Sequence, residues 1–294
     1  MISGTANALE RVVIAPEERR DAILAVIDSA RERLDVSVFR CDDGPVLDAL
    51  TAAVRRGVHV RALLTGRAKG SKTQLKHLGK LLQQGGVDVR RYADPVVRYH
   101  AKYAVADDGP AIIASLNFTR KCFADTCDFL LVSTDAHLVH PLLRLFDADW
   151  QGRMYVPGNG GTDRLIVGPE HARARFAVLL DRATRTIRII DPKINDPAML
   201  LLLRTKAAQG ISVEIRGPRD LGALVPHGKL LMLDDATAVI GSLSLSTLAL
   251  EFRRELAVII HDRRSLDTLE RFWRSLPVLN PAAAMPVLPR EQAL

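Results

Sequence analysis

Aromatic residues are scarce in this chain: Phe, Trp and Tyr together make up 5% of its 294 residues. That gives thin support for any function that stacks many bases on side-chain rings. Cysteine is rarer still. Cys41, Cys122 and Cys127 cannot all pair with one another, and their spacing is not a zinc framework. They are expected to be small buried hydrophobes in a reducing cytoplasm. The longest apolar run, near 199–203, is far too short to span a bilayer. No basic segment followed by an apolar stretch opens the chain, so no secretory signal is expected. What remains, 48% hydrophobic and 26% charged, describes an ordinary globular protein with ample length to bury a core.

Charge of one sign is in excess, +7 overall, and it is concentrated. Between Thr65 and Arg98 lie Arg67, Lys69, Lys72, Lys76, Lys80, Arg90, Arg91 and Arg98, against only Asp88 and Asp94. A localised positive field attracts polyanions or anionic headgroups, although a solvated helix face would read the same way.

The pattern His-x-Lys-x4-Asp occurs twice, as His100, Lys102, Asp107 and as His227, Lys229, Asp234. Each copy is followed by a serine (Ser115, Ser242), a second polar residue two further on (Asn117, Ser244) and an acid (Asp128, Glu255). Two copies with matching followers are not chance, and they point to one site built from two similar halves. Segment 11–17 also aligns with 164–170, and 57–60 with 210–213, at an offset of 153; the histidines are offset by 127. The second half is therefore 26 residues shorter before its motif. We read a duplicated domain, with lobes at 1–156 and 162–276, a breaker cluster at 157–161 between them, and a Pro/Ala-rich tail at 277–294.

Each half reads as α/β. In the first, helical periodicity over 17–34 precedes an alternating strand at 35–39, a helix at 45–56 and a strand at 58–64. A third helix at 72–84 leads to a strand at 87–92, strands at 100–105, 111–114 and 129–133, and a closing helix at 137–150. The second half repeats the scheme without the third helix and its strand. Lys69, Lys72, Lys76 and Lys80 follow helical spacing on that unmatched helix and are expected to form a basic substrate wall on one side of the site. His77 among them is expected on the solvated surface, and His59, His137, His140 and His261 are expected to be ordinary. Trp150 and Trp273 are expected in the core.

On a strand, His and Lys of each motif share a face, because side chains alternate with period two. Two ammonium groups would offset charge on the non-bridging oxygens of a phosphodiester. One neutral imidazole can attack phosphorus while the other, protonated, donates to the leaving oxygen. Asp128 and Glu255 are the candidates for holding the imidazoles by Nδ1.

The duplicated motif resembles the signature of the phospholipase D superfamily, His-x-Lys-x4-Asp followed by Gly-Ser-x-Asn and a later acid, and the resemblance covers both halves. It implies two α/β/α lobes with one active site at their interface, metal-independent catalysis without a cofactor, and a phosphohistidine intermediate. His100 would be the nucleophile and His227 the general acid. Lys102, Lys229, Ser115, Asn117, Ser242 and Ser244 match phosphate-binding positions, while Asp107 and Asp234 match the motif aspartates. Two departures stand out: Ala114 replaces the usual glycine, expected to tighten the pocket, and Ser244 replaces the usual asparagine, expected to be a weaker donor. By analogy with fused two-motif members we expect hydrolysis or transfer of phosphatidyl groups by a single cytoplasmic chain, with peripheral membrane contact. The alternatives are a nuclease, favoured by the pI near 9.6, and a non-catalytic lipid- or nucleic-acid-binding module.

Overall fold

The computed structural model describes residues 9–67, 72–157, 164–217 and 221–278. Lys69, most of the expected inter-lobe boundary and most of the tail lie outside them. The first half contains β1 (Glu10–Val13), α1 (Pro16–Ser29), β2 (Arg33–Val38), α2 (Gly44–Arg55), β3 (His59–Thr65), α3 (Lys72–Gln84) and β4 (Asp88–Tyr92). It continues with β5 (Arg98–Tyr99), β6 (Tyr103–Ala106), β7 (Ala111–Ala114), α4 (Arg120–Ala124), β8 (Thr126–Cys127), β9 (Leu130–Ser133) and α5 (Ala136–Trp150). The second half contains β10 (Leu165–Gly168), α6 (Ala172–Arg182), β11 (Thr186–Ile190), α7 (Pro197–Ala208), β12 (Ser212–Arg216) and β13 (Val225–Pro226). β14 (Lys229–Leu233), β15 (Thr237–Gly241), α8 (Thr247–Phe252), β16 (Arg253–Ile260) and α9 (Arg263–Ser275) complete it.

The two sheets have the same plan. The first runs β1-β9-β7-β6-β2-β3-β4 and the second β10-β16-β15-β14-β11-β12. Among the described strands of these two sheets only β4 lacks a counterpart, so α3 and β4 match the segment that the offset arithmetic placed in one half alone. The equivalent helices start alike too. Asp43 caps α2 by accepting from Val46 N–H, and Asp196 caps α7 by accepting from Met199 N–H.

Helix α1 ends five residues earlier than its periodicity suggests, at Ser29. The reason is tertiary: the Asp107 carboxylate accepts the backbone N–H groups of Arg31, Glu32 and Arg33, pulling that stretch into the turn that opens β2. Helices α4 and α8 escaped the sequence reading because each is barely a turn or two long. They start at Thr119 and Ser246, whose hydroxyls cap the first turn.

Each lobe has its own outer core, the first under α1 and α2 and the second under α6 and α7. A third core joins the lobes, with Tyr103, Phe129, Phe146 and Trp150 from one half packing in the same cluster as Leu230, Ile240, Val258 and Trp273 from the other. The closing helices α5 and α9 thus bury their aromatics at the interface, where apolar burial holds the halves in one fixed relation. Ala114 is fully buried in the first lobe's core rather than in the cleft.

Candidate active site

Two very short strands cross from one lobe to the other. β5, which leads into His100, pairs in parallel with the start of β16, Arg98 opposite Arg253 and Tyr99 opposite Arg254. β13, which leads into His227, pairs in the same way with β8, Val225 opposite Thr126 and Pro226 opposite Cys127. Each motif histidine therefore enters the site beside the segment that bears the other half's acid, Glu255 on β16 and Asp128 just after β8. His100 Nδ1 lies 2.5 Å from Glu255 Oε1, and His227 Nδ1 lies 2.9 Å from Asp128 Oδ1. The close approach requires glycine at 228, where a Cβ would sit 2.6 Å from Cys127 O and 2.9 Å from Ser115 Oγ.

Both acids are buried and ionised. Burial opposes charge on Glu255, but His100 and the two motif lysines overcome it and hold the carboxyl at about 2. Burial works against Asp128 as well, and His227, Ser115 and Thr126 hold it below its ordinary value. The Ser115 hydroxyl donates to Asp128 at 2.6 Å and that of Thr126 at 2.5 Å. Burial, reinforced by the neighbouring Lys102 charge, depresses His100 to about 3, so its ring is neutral at ordinary pH. Burial also pushes Lys102 well below its usual value. Each lysine is tied to its own motif, Lys102 Nζ donating to His100 O at 2.5 Å and Lys229 Nζ to His227 O at 2.7 Å.

The polar followers divide. Asn117 Nδ2 lies 3.4 Å from His227 Nε2. Ser242 instead exchanges hydrogen bonds with the backbone of Leu256 at 3.2–3.3 Å. Ser244 donates to the buried Asp191 carboxylate at 3.0 Å, which also accepts from Leu245 N–H at 2.7 Å. The motif aspartates stand apart. Asp107 serves the β2 turn, and Asp234 accepts the N–H groups of Thr184, Arg185 and Thr186 at the start of β11. Their carboxylates are committed to backbone at the outer end of the strands, a structural rather than a catalytic position.

A cleft of about 620 Å³ opens from His227 and Asn117. Its walls include Arg40, Lys121 and His77, together with Leu47, Leu75, Leu78, Leu81 and Val225. Helix α3 does border it, but through Gln74, Leu75, His77, Leu78 and Leu81. Lys72, Lys76 and Lys80 are exposed and are not among the lining residues. A lysine row and a cleft face can coexist because the lysines occupy a different arc of the same helix.

Three functional positions escaped the sequence reading. Phe39 packs edge-on against the His100 ring, with centroids 4.4 Å apart. Asp191 stands where the first half has Val38, and burial raises its carboxyl even though Lys229 is near. Arg19, completely buried, donates to the carbonyls of Cys122 and Thr126 at 2.8 Å each and so fixes the loop that carries Asp128. A charged residue on the apolar face of a helix was the one available signal for Arg19. Nothing in the sequence marks Phe39.

Residues 23–150 match the family described as "Cardiolipin synthase, PLD-like domain". Cardiolipin synthase 1 of Bacillus anthracis is 22% identical over 321 residues, covering 85% of this chain and 62% of that protein. Cardiolipin synthase B of Escherichia coli K12 is 27% identical over 319 residues, covering 86% of this chain and 76% of that one. The chain thus spans about three fifths of the length of the Bacillus relative. Among solved structures, phosphatidylserine synthase from Haemophilus influenzae Rd KW20 superposes with a TM-score of 0.74 at 13% identity, covering 92% of this chain and 87% of that one. Polyphosphate kinase from Porphyromonas gingivalis superposes with a TM-score of 0.73 at 18% identity, covering 90% and 47%. Those two likenesses establish the fold alone.

Proposed function

The chain belongs to the phospholipase D superfamily, and on that premise we propose that it hydrolyses or transfers phosphatidyl groups through a phosphohistidine. The observation that carries the reading is the pair of crossed histidine–acid contacts, with His227 opening into a cleft walled by both cations and leucines. An amphiphilic phosphodiester matches such walls: Arg40 and Lys121 meet its anionic part, and Leu47, Leu78 and Leu81 its apolar part.

In this mechanism neutral His100 attacks phosphorus through Nε2, while Glu255 holds its Nδ1–H and stabilises the positive ring that results. His227 protonates the leaving oxygen and then takes the proton from the incoming water or alcohol. Lys102 and Lys229 offset charge on the non-bridging oxygens. Among the described residues no helix is long and apolar enough to cross a membrane. Contact with lipid in this reading is made at the surface, next to the cleft.

A nuclease activity is the reading to be tested against it. No aromatic ring other than the His77 and His227 imidazoles lines the cleft among the described residues, which favours lipid over stacked bases. The test is an assay in EDTA on phospholipid vesicles and on single- and double-stranded nucleic acids, with His100→Ala and His227→Ala as controls. Histidine-dependent headgroup release is expected; histidine-dependent strand cleavage would replace the lipid reading. Denaturation in alkali during turnover should trap an acid-labile phosphoenzyme in the parent and in His227→Ala, and none in His100→Ala.

A further inference from the structure

Beside His227 stands a donor that phosphodiester chemistry does not use. The Cys122 thiol, a carboxylate oxygen of Asp128 and a ring nitrogen of His227 all lie within 4.8 Å of one another. We propose that these three residues form a site for a soft divalent cation of the zinc type, and that the bound ion switches the active site off.

The donor set selects the metal class. Thiolate, imidazole and carboxylate suit zinc, whereas magnesium and calcium prefer oxygen ligands alone. Three protein ligands leave a fourth tetrahedral position free for water. Cys122 and His227 both line the 620 Å³ cleft, so an ion has an entry path. The ligands are also held from behind. Asp128 accepts from Ser115 and Thr126, while the Cys122 carbonyl is fixed by Arg19 at 2.8 Å and its N–H faces the Thr119 hydroxyl at 3.4 Å. Such outer contacts orient ligands and raise affinity.

The site exists on one side only. At the histidine offset of 127, the position matching Cys122 is Ala249, so the His100–Glu255 pair has no sulfur beside it. Neither the fold nor the motif chemistry therefore requires the thiol. On binding, the thiol proton passes to solvent and the metal takes one imidazole nitrogen. If that nitrogen is Nε2, the proton donor is gone; if it is Nδ1, Asp128 no longer holds the ring. Either way His227 cannot serve as general acid, and this inhibitory part rests on the proposed role of His227.

Binding and inhibition are read separately. Titration of the whole chain with Co²⁺ is expected to give a thiolate-to-cobalt charge-transfer absorption that Zn²⁺ displaces. Cys122→Ala, which installs the residue of the second half, should abolish that absorption and weaken Zn²⁺ binding by at least about tenfold. Cys41→Ala should leave the absorption unchanged. Cys122→Ser, differing by one atom, replaces the alanine variant should the latter fail to fold. A cobalt spectrum without thiolate character, or one that survives loss of Cys122, overturns the site. In lipid turnover, Zn²⁺ should inhibit the parent and spare Cys122→Ala, each judged against its own metal-free rate. Zn²⁺-resistant turnover alongside an intact cobalt–thiolate absorption overturns the switch. If no lipid is turned over, the phosphatidyl reading falls and the cobalt titration still decides the site.

Discussion

His100 of the first half and Glu255 of the second meet at 2.5 Å, Nδ1 to Oε1. The reciprocal pair, His227 and Asp128, meets at 2.9 Å. Neither half therefore holds a complete histidine–acid pair, and each supplies what the other lacks. The shared core of α5, α9 and both sheets is what keeps the two contacts in place.

Glu255→Gln should show how much that contact matters. The amide can no longer fix the Nδ1–H tautomer or stabilise the charged ring, so kcat is expected to fall by roughly 10³–10⁴. Because His100 and both motif lysines hold the Glu255 carboxyl at about 2, the amide should also lower the melting temperature, so kcat is read per folded molecule. A loss of less than about tenfold in kcat would remove Glu255 from the mechanism.

Asp107→Asn should do the opposite. Its carboxylate accepts the N–H groups of Arg31, Glu32 and Arg33 at 2.7–2.9 Å. Weakening these bonds is expected to cost about 1–3 kcal/mol of stability, with kcat per folded molecule unchanged. Those N–H groups outweigh the slight burial and hold the Asp107 carboxyl below its ordinary value. Its contribution is thus present above the unfolded carboxylate pKa and fades as pH falls through the lower folded value. Denaturant unfolding at pH 7 and pH 2 should show the gap between the parent and Asp107→Asn closing in acid.

Asp149 predicts a pH effect of the other sign. It is buried at the lobe interface with Arg254 Nε at 3.0 Å. Burial, aided by Glu170 and resisted by Arg254, pushes its carboxyl up to about 7. Between its unfolded value and that one, the folded chain holds the extra proton, so stability falls as pH rises. Melting curves should show the parent losing ground to Asp149→Asn from pH 4 to 7, by at most about 4 kcal/mol. Parallel curves would place the Asp149 pKa near its ordinary value.

Two faces of α3 should separate under mutation. Leu81→Asp puts a charge on the exposed cleft wall and is expected to raise KM for lipid about tenfold or more, since loss of the apolar contact is compounded by a charge that bound lipid would cover. Replacing Lys72, Lys76 and Lys80 together by Glu should leave turnover of a soluble short-chain substrate unchanged. It should weaken binding to anionic vesicles, most strongly at low salt. Kinetics on the soluble substrate and vesicle sedimentation check the two halves of this prediction.

The repeat itself was legible in the sequence because His-x-Lys-x4-Asp, its serine and its acid keep fixed spacings in both copies. Strand alternation then put His and Lys together, and the two offsets located α3 and β4 as the unmatched segment. Periodicity alone carried α1 past Ser29, because it could not register the grip of Asp107 on the next turn. It likewise marked lysines on α3 without showing which arc of the helix meets the cleft.

Local pattern determined the elements, the duplication and the list of reactive groups, since those depend on residues near one another in the chain. Which acid serves which histidine was decided only by tertiary structure. The pairings of β5 with β16 and β13 with β8 span the two halves, and contacts so far apart in the chain leave no periodic trace. The same holds for Phe39 on His100, for Ser244 turned toward Asp191, and for the Cys122 thiol beside His227. Their positions follow from how two sheets bury one common core.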